Sequence, residues 1–102
     1  MKPVFKLSNY TSDIHMMHCN TEEKANAFLE FLTQGGRRWR DGTSYIVKNC
    51  FKVYHSRTCY CFNEGSYASL NWAKSTGYII LEYDDFDWGN EKPCKFMNKV
   101  TK

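Results

Sequence analysis

The sequence predicts an α+β fold: a single helix packed on one face of a twisted antiparallel sheet of four to five strands, in β-α-β-β-β-β order. Three observations carry that expectation. Residues 20–36 spell a capped amphipathic helix with a double-glycine stop. Thr58-Cys59-Tyr60-Cys61-Phe62 alternates and runs into a glycine-bearing turn. Tyr78-Ile79-Ile80-Leu81-Glu82-Tyr83 is an apolar run of strand length. A chain of 102 residues fits one domain, with a compact core expected over about 13–88 and residues 89–102 as a polar, basic C-terminal extension.

Taken in order, residues 13–19 form the first expected strand. Asn20 is placed to cap the helix, with Glu23 three residues on in a capping-box arrangement. Glu22 and Glu23 sit where the helix dipole favours anions. Ala25, Phe28, Leu29 and Leu32 recur at the spacing of one buried face, Phe31 widens it, and Gly35-Gly36 ends it. Arg37-Arg38-Trp39-Arg40-Asp41-Gly42 leads into a turn, so Trp39 is expected to pack on the helix end. Residues 43–47 read as a strand, rich in β-branched and aromatic side chains, and residues 51–54 continue it or form a short strand of their own.

Residues 58–62 place Thr58, Tyr60 and Phe62 on one face and the two cysteines on the other. Asn63-Glu64-Gly65-Ser66 makes a hairpin turn, and residues 67–70 return antiparallel. Residues 72–77 read as a loop or a single helical turn. The continuous apolar run at 78–83 points to a central strand. With one helix on one face, loops, the C-terminal extension or a partner must cover the other, and an uncovered face or edge favours a homodimer.

Composition narrows the class. No run approaches the roughly 20 apolar residues of a membrane span, and the amino terminus lacks the features of a signal peptide. The five cysteines (Cys19, Cys50, Cys59, Cys61 and Cys94) are odd in number and show no framework spacing, as in reduced cytoplasmic proteins. Net charge is only +3, but it is unevenly placed. Residues 37–57 hold six Lys or Arg against Asp41, whereas residues 82–91 hold five carboxylates and no Lys or Arg.

Four constellations bear on chemistry. His15, His18, Cys59 and Cys61 only loosely resemble zinc knuckles, and strand residues three apart point to opposite faces, so no metal is expected. His18 beside Cys19 is not a nucleophile–base pair, and no phosphate-cradling loop or hydrolase motif is present, so neither catalysis nor a cofactor is expected. Arg37, Arg38, Trp39, Arg40 and Lys52, extended by Lys48 and Arg57, combine phosphate-seeking charge with a stacking ring, which is how a nucleic-acid patch reads. Tyr83, Asp84, Asp85, Asp87 and Trp88 alternate carboxylates with large rings, which is how a protein-binding edge reads.

From residue 19 to residue 86 the chain also resembles small accessory proteins of phages and prophages of Gram-positive bacteria. The resemblance rests on Cys19-Asn20-Thr21-Glu22-Glu23-Lys24-Ala25 with Phe28-Leu29, and on Arg37-Arg38-Trp39 with Gly42. It rests further on Cys59-Tyr60 and on Gly77-Tyr78-Ile79-Ile80-Leu81-Glu82-Tyr83 with Phe86. These are mainly capping, core and turn residues, so the resemblance implies a fold and a setting and carries no site residues across. The implied setting is the host cytoplasm, and the implied role is inhibition of a host protein. Such a protein could be an anti-CRISPR or other anti-defence inhibitor that occludes a nucleic-acid-binding surface. The alternatives are a small nucleic-acid-binding regulator using the basic segment and a sponge for a defence-signalling nucleotide.

Overall fold

The computed structural model describes residues 2–88; the expected C-terminal extension, Cys94 included, lies outside the described residues. Four strands form one sheet: β1 (His15–Cys19), β2 (Thr58–Cys61), β3 (Ser66–Ser69) and β4 (Ile79–Glu82). The helices are α1 (Glu22–Gln34), a short α2 (Phe51–Tyr54) and α3 (Leu70–Thr76). The α+β class is as expected. Two details differ, because the sheet is mixed rather than antiparallel and α3 is a second packed helix.

The sheet order is β3-β2-β1-β4. β1 pairs antiparallel with β2 and parallel with β4, and β2 pairs antiparallel with β3. β3 and β4 therefore share a direction, and the chain passes between them through α3. That helix is capped by Ser69, whose hydroxyl accepts from Trp72 N at 3.2 Å, and it lays Leu70 and Ala73 against the sheet. Leu70 and Ala73 are one turn apart, a spacing too brief to stand out in a seven-residue helix.

Period-two alternation sorts the strands onto two cores. Met17, Cys19, Tyr60 and Phe62 face α1, where Ala25, Phe28, Leu29 and Leu32 are fully buried. Met16, Cys59 and Cys61 face α3 and pack with Ala73, Ala68 and Ile80. β4 is an edge strand rather than a central one. Its apolar run packs partly on both faces, Leu81 against the α1 core and Tyr78 and Ile80 against the α3 core, while Ile79 is exposed.

The α1 cap is Thr21, not Asn20: Thr21 Oγ1 accepts from Lys24 N at 3.2 Å, while Asn20 Oδ1 accepts from Lys24 Nζ. Residues 43–47 form turns instead of a strand. Asp41 Oδ1 accepts from Thr43 N and Ser44 Oγ from Ile46 N, so side chains take up the backbone donors that a ladder would use. Residues 51–54 are helical because Asn49 Oδ1 accepts from Phe51 N and opens a turn. Trp39 is buried against Tyr45, Tyr60 and Tyr67 and donates from Nε1 to Lys48 O at 2.9 Å.

The packed region begins upstream of residue 13. Phe5 is 3% exposed and meets Tyr10, Phe28, Phe31, Phe62, Phe86 and Trp88 at ring-centroid distances of 5.2–5.9 Å. Val4 bridges to Asp87, and Asp87 N donates to Pro3 O at 2.8 Å. The amino-terminal segment thus holds the chain that follows β4.

Candidate protein-binding surface

After β4 the chain makes a 3-10 turn over Tyr83–Asp85 and then runs extended to Trp88. Tyr83 is buried and stacks on Trp88, with centroids 4.6 Å apart and planes 9° from parallel. Trp88 Nε1 donates to Tyr83 O at 2.8 Å, closing the segment on itself. The indole also meets Phe5, Phe28 and Phe31. The sequence pattern of carboxylates and rings is therefore split by side. The two rings expected to touch a partner are part of the core, and Asp84, Asp85 and Asp87 stay exposed on a turn that those rings clamp.

Lys24 Nζ bonds Asp84 Oδ2 at 2.7 Å, tying the first turn of α1 to this turn. Glu22 and Glu23 are exposed on that first turn. Asn49 Nδ2 holds Glu22 Oε2 at 3.0 Å. The result is an acidic ridge of three exposed carboxylates, Asp84, Asp85 and Asp87, with Lys24 paired to Asp84. The Lys24–Asp84 tie is hidden in the sequence, where 60 residues separate the two.

The basic segment does not converge in the same way. Arg37 donates to Phe62 O at 3.0 Å and to Asn63 Oδ1 at 2.9 Å, which makes it a brace for the hairpin turn. Arg40 pairs with Glu64, and Arg38 and Lys52 are exposed. Trp39, buried to 6% exposure, offers no face on which a base could stack. No family model, curated protein or solved structure matches this chain.

The remaining titratable groups serve the core. Burial pushes the Cys59 thiol up to about 12 and holds that of Cys19 well above its ordinary value, with Cys59 and Glu82 adding to the effect. Burial also raises Cys50 and Cys61. A thiolate nucleophile needs the opposite environment. His15 and His18 lie on opposite faces of β1, as their spacing requires. His18 Nδ1 is 2.7 Å from Glu82 Oε1 and Nε2 is 2.7 Å from Ser56 O, so both ring nitrogens tie β1 to its neighbours. Among the described residues no group of three or more His, Cys, Asp or Glu is placed to hold a metal, and no helix is long and apolar enough to cross a membrane.

Proposed function

We propose that this domain is a non-catalytic binding protein that presents its acidic ridge to the basic surface of a protein partner. The observation that carries the reading is the separation of Asp84, Asp85 and Asp87 from their flanking rings. Tyr83 and Trp88 lock the turn from inside, so the three carboxylates are held in place before binding and little chain entropy is lost on docking. Carboxylates on a fixed turn accelerate encounter with a cationic surface and select against acidic ones.

Surfaces that bind nucleic acid by neutralising its phosphates are basic in this way. Together with the resemblance to phage accessory proteins, this supports a phage-encoded inhibitor that occludes the nucleic-acid-binding surface of a host protein, such as a CRISPR effector or another defence component. The test is displacement of labelled DNA from a guide-loaded CRISPR effector nuclease by the wild-type domain and by the D84K/D85K/D87K variant. Wild type should displace the DNA, more weakly as salt rises, and the triple variant should lose on the order of 100-fold or more in affinity. Its thermal midpoint should fall by no more than about 8 °C, since the exposed Lys24–Asp84 pair is worth at most about 1 kcal/mol. Full displacement by the triple variant would exclude this surface; no displacement by wild type would exclude the effector as target.

A further inference from the structure

His18 sits between two acceptors. Its side chain is 11% exposed and stands in a row across the sheet, paired with Cys59 on β2 and with Glu82 on β4. Nδ1 lies 2.7 Å from Glu82 Oε1, and Nε2 lies 2.7 Å from Ser56 O. A carboxylate and a backbone carbonyl both accept, and neither donates. A neutral imidazole carries one N–H, so it satisfies one of the two and turns a lone pair towards the other. Both bonds form together only when the ring holds two protons and a positive charge.

Glu82 is the carboxylate on this face of β1. Cys59, the cross-strand partner, has a thiol that burial pushes up to about 12, so it stays neutral through the range in which histidines titrate. The cations on the packed elements are Lys74 of α3, which acts on Cys59, and Arg57, which shares the 3-10 turn His55–Arg57 with the titratable His55. Lys24 and Asp84 act on Cys19, on the opposite face of β1.

The turn that His18 holds is strained. His55 has φ +52° and ψ −124°, and Cys50, just before α2, has φ +59°; residues with a Cβ rarely adopt either conformation. Phe51 and Thr58 are buried at the two ends of this stretch, whereas no residue between them is. Thr58 Oγ1 donates to His55 O at 2.7 Å, and His18 supplies the tie to Ser56 O.

We infer that His18 is a proton-operated latch on residues 52–57. Charged, the ring closes both β4 and the 3-10 turn onto β1. On losing a proton it keeps the N–H that faces Glu82, because a bond to a carboxylate is the stronger of the two, and releases Ser56 O. The strained turn then relaxes. Only the protonated form makes the second bond, so the turn is closed at low pH and opens as pH rises. Lys52 and Arg57 are exposed on this segment, so the proton controls where these cations stand.

The test is NMR of the isotope-labelled wild-type chain at about pH 5.5 and about pH 8.5, on either side of the histidine range. Ring-nitrogen shifts should show two N–H groups on His18 at the lower pH and one, on Nδ1, at the higher. His55 N donates to Phe51 O and Thr58 N to His55 O, so these two amides report opening of the turn. Corrected for intrinsic exchange, their protection should fall at least about tenfold at the higher pH, as loss of a charge-assisted bond requires. Glu82→Gln is the second arm, since its amide accepts from a charged ring and donates to a neutral one. Both ties then hold at either pH, and the difference in protection should shrink below about twofold. The same number of ring N–H groups at both pH values overturns the inference, as does protection that does not change with pH. A wild-type response in Glu82→Gln would assign the opening to another group, such as His55, and overturns it as well.

Discussion

Gly65 couples the hairpin to the basic segment, and Gly65→Ala tests that coupling. Its backbone is left-handed, at φ +81°, and an added Cβ would stand 2.7 Å from Arg40 N, 2.8 Å from Arg38 O and 3.1 Å from Trp39 C. All three atoms are backbone, so no side chain can swing aside. The left-handed conformation costs a residue with a Cβ about 1–2 kcal/mol. Displacing the 38–40 segment adds about 1–3 kcal/mol of overpacking, and losing the Arg40 N to Gly65 O bond adds about 1 kcal/mol. Together these put Gly65→Ala at about 3–6 kcal/mol, a large share of the roughly 5–15 kcal/mol of a whole domain. Gly42→Ala is the internal control. Gly42 has φ +91°, but a methyl group added there would meet nothing within 4 Å, so only the conformational cost of about 1–2 kcal/mol applies. Urea unfolding of both variants, with unchanged slope, gives the difference directly. A gap of less than about 1 kcal/mol between them would refute the close approach of residues 38–40 to the hairpin.

Three further outcomes follow from the same geometry. Thr21→Ala should cost about 1 kcal/mol in urea unfolding and Asn20→Ala at most about half of that, because Thr21 carries the helix cap; the reverse order would restore Asn20 as the cap. Trp88→Ala should destabilise by about 3 kcal/mol, since the indole stacks on Tyr83 and meets Phe5, whereas a loss below about 1 kcal/mol would mean that the ring is a surface contact. The stability owed to buried Cys59 and Tyr45 should be intact below about pH 9 and fall as pH rises towards about 12. In the folded state burial pushes Cys59 from 9.0 to about 12 and Tyr45 from 10.0 to about 12, so the unfolded chain loses these protons first and alkali favours it. Urea midpoints that stay level from pH 8 to pH 10.5 would contradict this burial.

The elements legible in the sequence are those whose determinants are local. The α1 face, the alternation of Thr58 to Cys61 and the Gly65 turn depend on neighbours within a few residues, and all three stand as read. The cap lies one position further on than expected because Asn20 and Thr21 are both good caps, and only backbone geometry chooses between them. Residues 43–47 carry strand propensity but no strand to pair with. Asp41 and Ser44 capture their backbone donors, and Ile46 and Val47 are left exposed. The parallel pairing of β1 with β4 depends on where α3 carries the chain, which no local pattern encodes.

The same distinction governs the candidate site. Alternating carboxylates and rings at 82–88 look like a mixed contact surface, because sequence order does not say which side chains the core will claim. Phe5 decides it: the far amino-terminal segment supplies the ring against which Trp88 packs, and Tyr83 completes the stack. Once those rings are internal, the acidic residues cease to be half of an amphipathic edge and become a charged surface on a rigid base. Lys24, in the first turn of α1, reaches Asp84, offsets its charge and ties the helix start to the acidic turn. The basic segment is broken up by the opposite logic, since Arg37 and Arg40 find acceptors within the hairpin they brace. Charge clusters of similar length in the sequence thus end as one turn with three exposed carboxylates and one basic segment tied into the hairpin.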